Sequence, residues 1–186
     1  MDATGGAGGG ATTDTGGTTM LTPVAPPAEP PAAWGANCAA CHGPEGEGAE
    51  LGPEIRHTPL DLGVFVTRNG RGFGEHPDYV VQMLPFDATV VSDDDLLLIF
   101  AWLDNFPKPT DGPGLYADFC EHCHGADAAS GSVGLDIKLE LHELPEKVRG
   151  GVAGDFDART SYMPSWGADK LTDAEIQMIS DYVGTL

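Results

Sequence analysis

The 186-residue chain is poor in positive charge: 9 Lys+Arg stand against 29 Asp+Glu, for a formal charge of −20. Nucleic-acid binding needs a cationic face to displace condensed counterions, so this composition disfavours it. No run of 18 or more apolar residues occurs, so no segment has the hydropathy to span a bilayer as a helix. The start, Met1-Asp2-Ala3 followed by Gly and Thr, has neither the basic beginning nor the apolar stretch of a secretory signal, and the chain reads as a mature or truncated form. Cysteine is scarce as well. The four present fall as two C-x-x-C pairs, each followed at once by His, which argues against a disulfide framework.

What is there begins with a low-complexity segment. Residues 1–32 are dominated by Gly, Thr, Ala and Pro, with Pro23, Pro26, Pro27, Pro30 and Pro31 towards the end. This composition offers almost nothing to a core and predicts a disordered tether that stiffens toward its proline-rich end. Such tethers often follow a lipidated cysteine. None stands here, so a lipid anchor is an expectation that the intact mass of the natively expressed protein would test.

The remainder is an internal repeat. Cys38, Cys41, His42 and Gly43 match Cys120, Cys123, His124 and Gly125 at an offset of 82, as Gly52 and Ile55 match Gly134 and Ile137. Further on the offset is 80: Met83 with Met163, Ser92 with Thr172, Asp93 with Asp173, Ile99 with Ile179, Leu103 with Val183. The copies run over 33–106 and 113–186, and the Pro- and Gly-containing stretch 107–112 reads as a short, stiff linker.

Each copy reads as helical. Ser92 can cap a helix with Asp95 three residues on, and Leu96, Ile99, Phe100 and Leu103 follow the i, i+3, i+4, i+7 pattern. In the second copy Thr172, Glu175, Ile176, Ile179 and Val183 repeat the arrangement, with Gly184 as the stop. Shorter helices are expected around 32–42 and 114–124, with Gly- and Pro-rich loops between. The fold class is therefore all-α, but a copy of about 74 residues with long loops buries little apolar surface of its own.

The motifs resolve that difficulty. In Cys38-Ala39-Ala40-Cys41-His42 and Cys120-Glu121-His122-Cys123-His124, two residues on a helical turn place both thiols on one side, and the adjacent imidazole can reach a metal. C-x-x-C-H is the attachment motif of c-type haem, and a haem gives each copy a large flat apolar core. A zinc ribbon would want its cysteine pairs roughly 15–20 residues apart. A redox dithiol needs neither the His nor a second copy in register. The cofactor expected is two haem c groups, held by Cys38, Cys41, Cys120 and Cys123, with His42 and His124 as iron ligands.

A sixth ligand must come from elsewhere in each copy. Met83 lies 41 residues after His42 and Met163 lies 39 after His124, each in a proline-containing segment before a capped helix. A lone Met is more often core filling, but equivalent positions in both repeats point to ligation. Met178 falls on the terminal helix and Met20 in the tether. His57, His76 and His142 are rival ligands without repeat partners, and His122 sits inside its own motif.

These residues resemble class I cytochromes c, and the duplication resembles the two-domain, di-haem cytochromes c of bacteria. The resemblance covers about 33–186. It implies that Pro53, in Leu51-Gly52-Pro53-Glu54-Ile55, accepts a hydrogen bond from the proximal imidazole; Leu135 stands in its place in the second copy. It also places Arg68 near a haem propionate, with Arg149 as its approximate counterpart. Trp34, Tyr116, Trp102 and Tyr182 read as aromatic packing between first and last helices or around haem.

The function expected is one-electron transfer in the periplasm or cell envelope, since iron bound by His and Met has no open site and Met ligation raises the potential relative to bis-His. The partners expected are redox proteins, an acidic surface suiting one with a basic docking patch, or a larger respiratory or oxidoreductase complex. The rival is a di-haem, peroxidase-like enzyme in which one haem opens to substrate.

Overall fold

The computed structural model describes residues 24–70, 83–131, 136–152 and 163–186. The expected tether therefore lies largely outside the described residues, as do Met20, His76 and Leu135. Among the described residues the regular structure is helical, with two isolated bridge pairs. No described helix is long and apolar enough to cross a membrane.

The first copy comprises α1 (Ala32–Asn37), α2 (Ala39–His42), α3 (Leu60–Asn69) and α4 (Asp93–Asp104). The second comprises α5 (Gly112–Tyr116), a π turn (Ala117–Glu121), α6 (His122–His124), a 3₁₀ turn (Ile137–Glu140), α7 (Leu144–Gly150) and α8 (Asp173–Val183). Helices α4 and α8 start as the sequence predicts. Ser92 and Thr172 each accept from the backbone of Asp95 and Glu175, whose carboxylates accept from the Ser92 and Thr172 backbone in return. Each closed box satisfies orphan amides and contributes about 1 kcal/mol. Gly184 ends α8 with ordinary helical φ (−65°), not in the left-handed region.

Helices α3 and α7 correct the expectation of loops between the ends of each copy. Helix α3 is rich in Val and Phe and contains Gly63, which weakens the helical signal. Tertiary packing decides instead. A Cβ on Gly63 would stand 2.2 Å from Phe100 Cζ, so the ring of α4 lies directly on the α3 backbone. Helix α7 has Pro145 in its first turn, where the missing N–H costs nothing.

Each copy has its own core. Trp34, Val91, Leu96, Ile99 and Leu103 form one; Tyr116, Leu171, Ile176, Ile179 and Val183 form the other in matching positions. Trp34 meets Trp102 at 5.4 Å between centroids, and Tyr116 meets Tyr182 at 5.6 Å, joining the first and last helices of each copy. The polar ends of the first pair are used alike: Trp34 Nε1 donates to the Pro44 carbonyl (2.9 Å) and Tyr116 Oη to the Gly125 carbonyl (2.5 Å), fixing the chain just after each attachment motif.

The two copies meet along a seam. Lys108 of the linker donates to the Lys170 carbonyl (2.7 Å) and pairs with Glu175 (2.8 Å), while Lys170 pairs with Asp104 at the end of α4. The His57 ring is stacked on Phe119 of the π turn, 5.1 Å between centroids with planes 8° apart, and Phe119 meets Trp166 edge-on at 5.2 Å. His57 is 3% exposed and has φ +57°, a left-handed conformation that costs a non-glycine residue energy.

Candidate functional site

In the first copy the chain breaks between α1 and α2 at Cys38, so Cys38, Cys41 and His42 share one short turn. The four cysteines form no disulfide. Burial, then the neighbouring Cys41, pushes the Cys38 thiol up to about 11; burial, then Cys123, pushes Cys120 up to about 12. A redox-active dithiol works through a lowered thiol pKa, so these shifts run the wrong way for thiol–disulfide exchange. They suit sulfur that ends as an uncharged thioether.

His42 is buried, and its Nδ1 donates to the Pro53 carbonyl at 2.9 Å. A carbonyl can only accept, so this contact fixes the tautomer and leaves Nε2 as the nitrogen available to a metal. Burial lowers the His42 pKa, and the bond to Pro53 opposes that. Gly52 lets the loop approach closely: a Cβ would lie 3.1 Å from the imidazole and 3.0 Å from the Cys41 carbonyl, so a side chain there would press on the ring. The adjoining turn is closed by Gly48 N–H to His42 O (2.9 Å) and by the reciprocal Ala49–Gly52 pair.

In the second copy, burial and the nearby His122 drive the His124 pKa down to about 4. Its Nδ1 is buried with no hydrogen-bond partner among the described residues, and Leu135, in the place of Pro53, lies outside them. The motif sits across the π turn and α6, whereas the first copy breaks its helix at Cys38. The two attachment turns thus differ in backbone although the motif is the same.

Met83 and Met163 hold equivalent places. Gly70 (φ +73°) ends α3 and Gly151 (φ +66°) ends α7, and a Cβ on either would stand 2.6 or 2.7 Å from the Met83 or Met163 carbonyl oxygen. Backbone pairing of Val152 with Met163 (3.0 and 3.1 Å) adds a clamp in the second copy. Just beyond each Met, Phe86 N–H donates to Thr67 O and Trp166 N–H to Val148 O, both at 2.8 Å.

Arg68 donates to the Phe86 carbonyl (3.0 Å) and pairs with Asp93 (2.5 Å); Arg149 donates to the Trp166 carbonyl (2.8 Å) and pairs with Asp173 (2.5 Å). Both guanidiniums thus tie a Met segment to the N-terminus of the helix that follows it. Sequence reasoning did not find this role, although Asp93 and Asp173 already stood in register.

Of the rival histidines, His57 lies on the seam and His142 is largely exposed beside Glu143. The four thiols, the two turn imidazoles and the orphaned His124 Nδ1 fit a covalently attached, metal-centred ring in each copy.

A family model described as cytochrome c oxidase, cbb3-type, subunit III matches the chain twice, over residues 25–103 and 107–183. The first match takes in the last residues of the segment expected to be tether. No curated protein and no solved structure matches the chain.

Proposed function

The chain belongs to the cytochrome c oxidase, cbb3-type, subunit III family, with two tandem domains, and from that premise we propose that it is a one-electron carrier of the periplasm or cell envelope. Two covalently bound haem c groups and electron transfer follow from the family. The finer assignments are ours: domains at 33–106 and 113–186 joined by 107–112, His42 and His124 as proximal ligands, and Met83 and Met163 as distal ones. The observation that carries them is the repetition of one complete set: two thiols, an imidazole, a glycine-capped helix and an arginine-clipped Met segment.

The haems supply the one-electron couple. The chain's own part is to hold ligands still, since fixed ligands in an apolar wall keep reorganisation small. Cys38, Cys41, Cys120 and Cys123 would anchor the rings; the Pro53 carbonyl orients the His42 imidazole; Arg68 and Arg149 hold the Met segments; and the aromatic pairs Trp34–Trp102 and Tyr116–Tyr182 join the first and last helices of each copy. The partners proposed are a redox protein with a basic docking patch, drawn by the acidic surface, or the other subunits of a respiratory complex.

Near-infrared magnetic circular dichroism of the oxidised holoprotein, with haems counted by intact mass, tests this. Two haems with only His/Met signals are expected, and Met83→Ala and Met163→Ala should each remove the signal of one domain. A high-spin or bis-His haem in the wild type would move the peroxidase-like reading ahead.

A further inference from the structure

We propose that Glu54, Asp118 and His57 form a proton-binding site on the seam between the two domains, which takes up a proton as the protein is reduced and releases it on oxidation. This rests on the electron-transfer reading above and adds a second ligand, the proton, to it.

The geometry is that of a charge-deficient pocket. His57 is nearly fully buried, with Nδ1 3.6 Å from Asp104 and Nε2 3.9 Å from Asp118; Nε2 makes no hydrogen bond among the described residues, and neither does the buried Glu54 Oε1. The Glu54 and Asp118 carboxyls are placed to share a hydrogen bond once one of them is protonated. Two cations face the cluster. Arg56 lies 3.6 Å from Glu54 but also reaches Glu45 and Glu47 and lies over the Phe106 ring. Lys170 is taken by Asp104. Two fixed positive charges thus serve Glu45, Glu47, Glu54, Asp104 and Asp118, and Asp118 has neither of them as a direct partner. A buried anion without a counter-ion is costly, and a proton bound between Glu54 and Asp118 relieves it. In keeping with this, burial and the Asp118 charge push the Glu54 pKa up to about 7, and burial raises Asp118 as well.

The chain also ties this pocket to both haem sites. Glu54 follows Pro53, whose carbonyl holds His42, and Asp118 precedes Cys120 by two residues. An electron arriving from the redox donor adds negative charge to either site and favours the protonated pair; the proton comes from water and returns to it when the electron leaves. His57, stacked on Phe119, seals the pocket.

The test uses the holoprotein. Spectroelectrochemical titration at several pH values should give midpoint potentials that fall as pH rises through about 7, and the reduced-minus-oxidised infrared spectrum should gain a protonated-carboxyl band. Glu54→Gln and Asp118→Asn should each flatten the pH dependence and remove the band, with His/Met ligation signals retained. A wild-type infrared spectrum without that band overturns the proposal whatever the variants do. So does a pH dependence that survives in Glu54→Gln, which would assign it to haem propionates. Loss of His/Met signals in the wild type itself would instead strike the electron-carrier reading.

Discussion

Arg68 and Arg149, 81 positions apart, make the same pair of contacts: each bridges the carbonyl three residues past its methionine and the first aspartate of the next helix. A partly buried guanidinium in two such bonds is worth about 2 kcal/mol. Arg68→Ala should therefore lower stability by about that amount in denaturant titration of the holoprotein. It should weaken the methionine-ligation signal of the first domain alone, and Arg149→Ala that of the second. Equal loss in both domains from either variant would contradict this division.

Gly70→Ala and Gly151→Ala add a penalty of about 1–3 kcal/mol for positive φ with extended ψ to a collision with the Met83 or Met163 carbonyl. Each should cost more than the penalty alone and should displace its own methionine, read as a shift of one haem toward high spin.

Tyr116→Phe removes the hydroxyl that donates to the Gly125 carbonyl, which keeps only the Ala128 N–H at 3.0 Å. A loss of about 0.5–1.5 kcal/mol is expected, seen as a lower denaturation midpoint. Trp34→Phe should cost at least as much, since it loses both the Pro44 contact and ring area against Trp102.

The folded-state Glu54 pKa of about 7 lies above the ordinary value of 4.5. Its proton therefore contributes stability that is complete below about 4.5 and lost as pH rises through about 7. Wild-type stability should fall relative to Glu54→Gln across that window, and a difference constant with pH would contradict it.

Much of this was written in spacing. The offsets of 82 and 80 carried the attachment turns, the methionines and the capped helices, because covalent attachment and capping are local demands on particular residue types. Helices α3 and α7 were not legible. Gly63 looks like a helix breaker until Phe100 is seen lying on it, and that contact spans two helices. The arginine clips were hidden for a similar reason: an exposed Arg and an N-terminal Asp each have a sufficient local explanation. His57 had no repeat partner, so it stood out only as a rival ligand. Its place on the seam depends on how the two copies meet, which periodicity within one copy cannot express.

That seam joins unlike faces: the loop below His42 in the first domain rests on the attachment turn of the second. Contacts of this head-to-tail kind do not close on themselves, and in principle each added unit offers a fresh surface to the next. At the position corresponding to His57 the second domain carries Leu139, 78% exposed, so it presents an apolar side chain where the first presents an imidazole. The two halves are consequently not interchangeable in order. Transposing them along the chain would keep both haem sites and lose the surface that joins them.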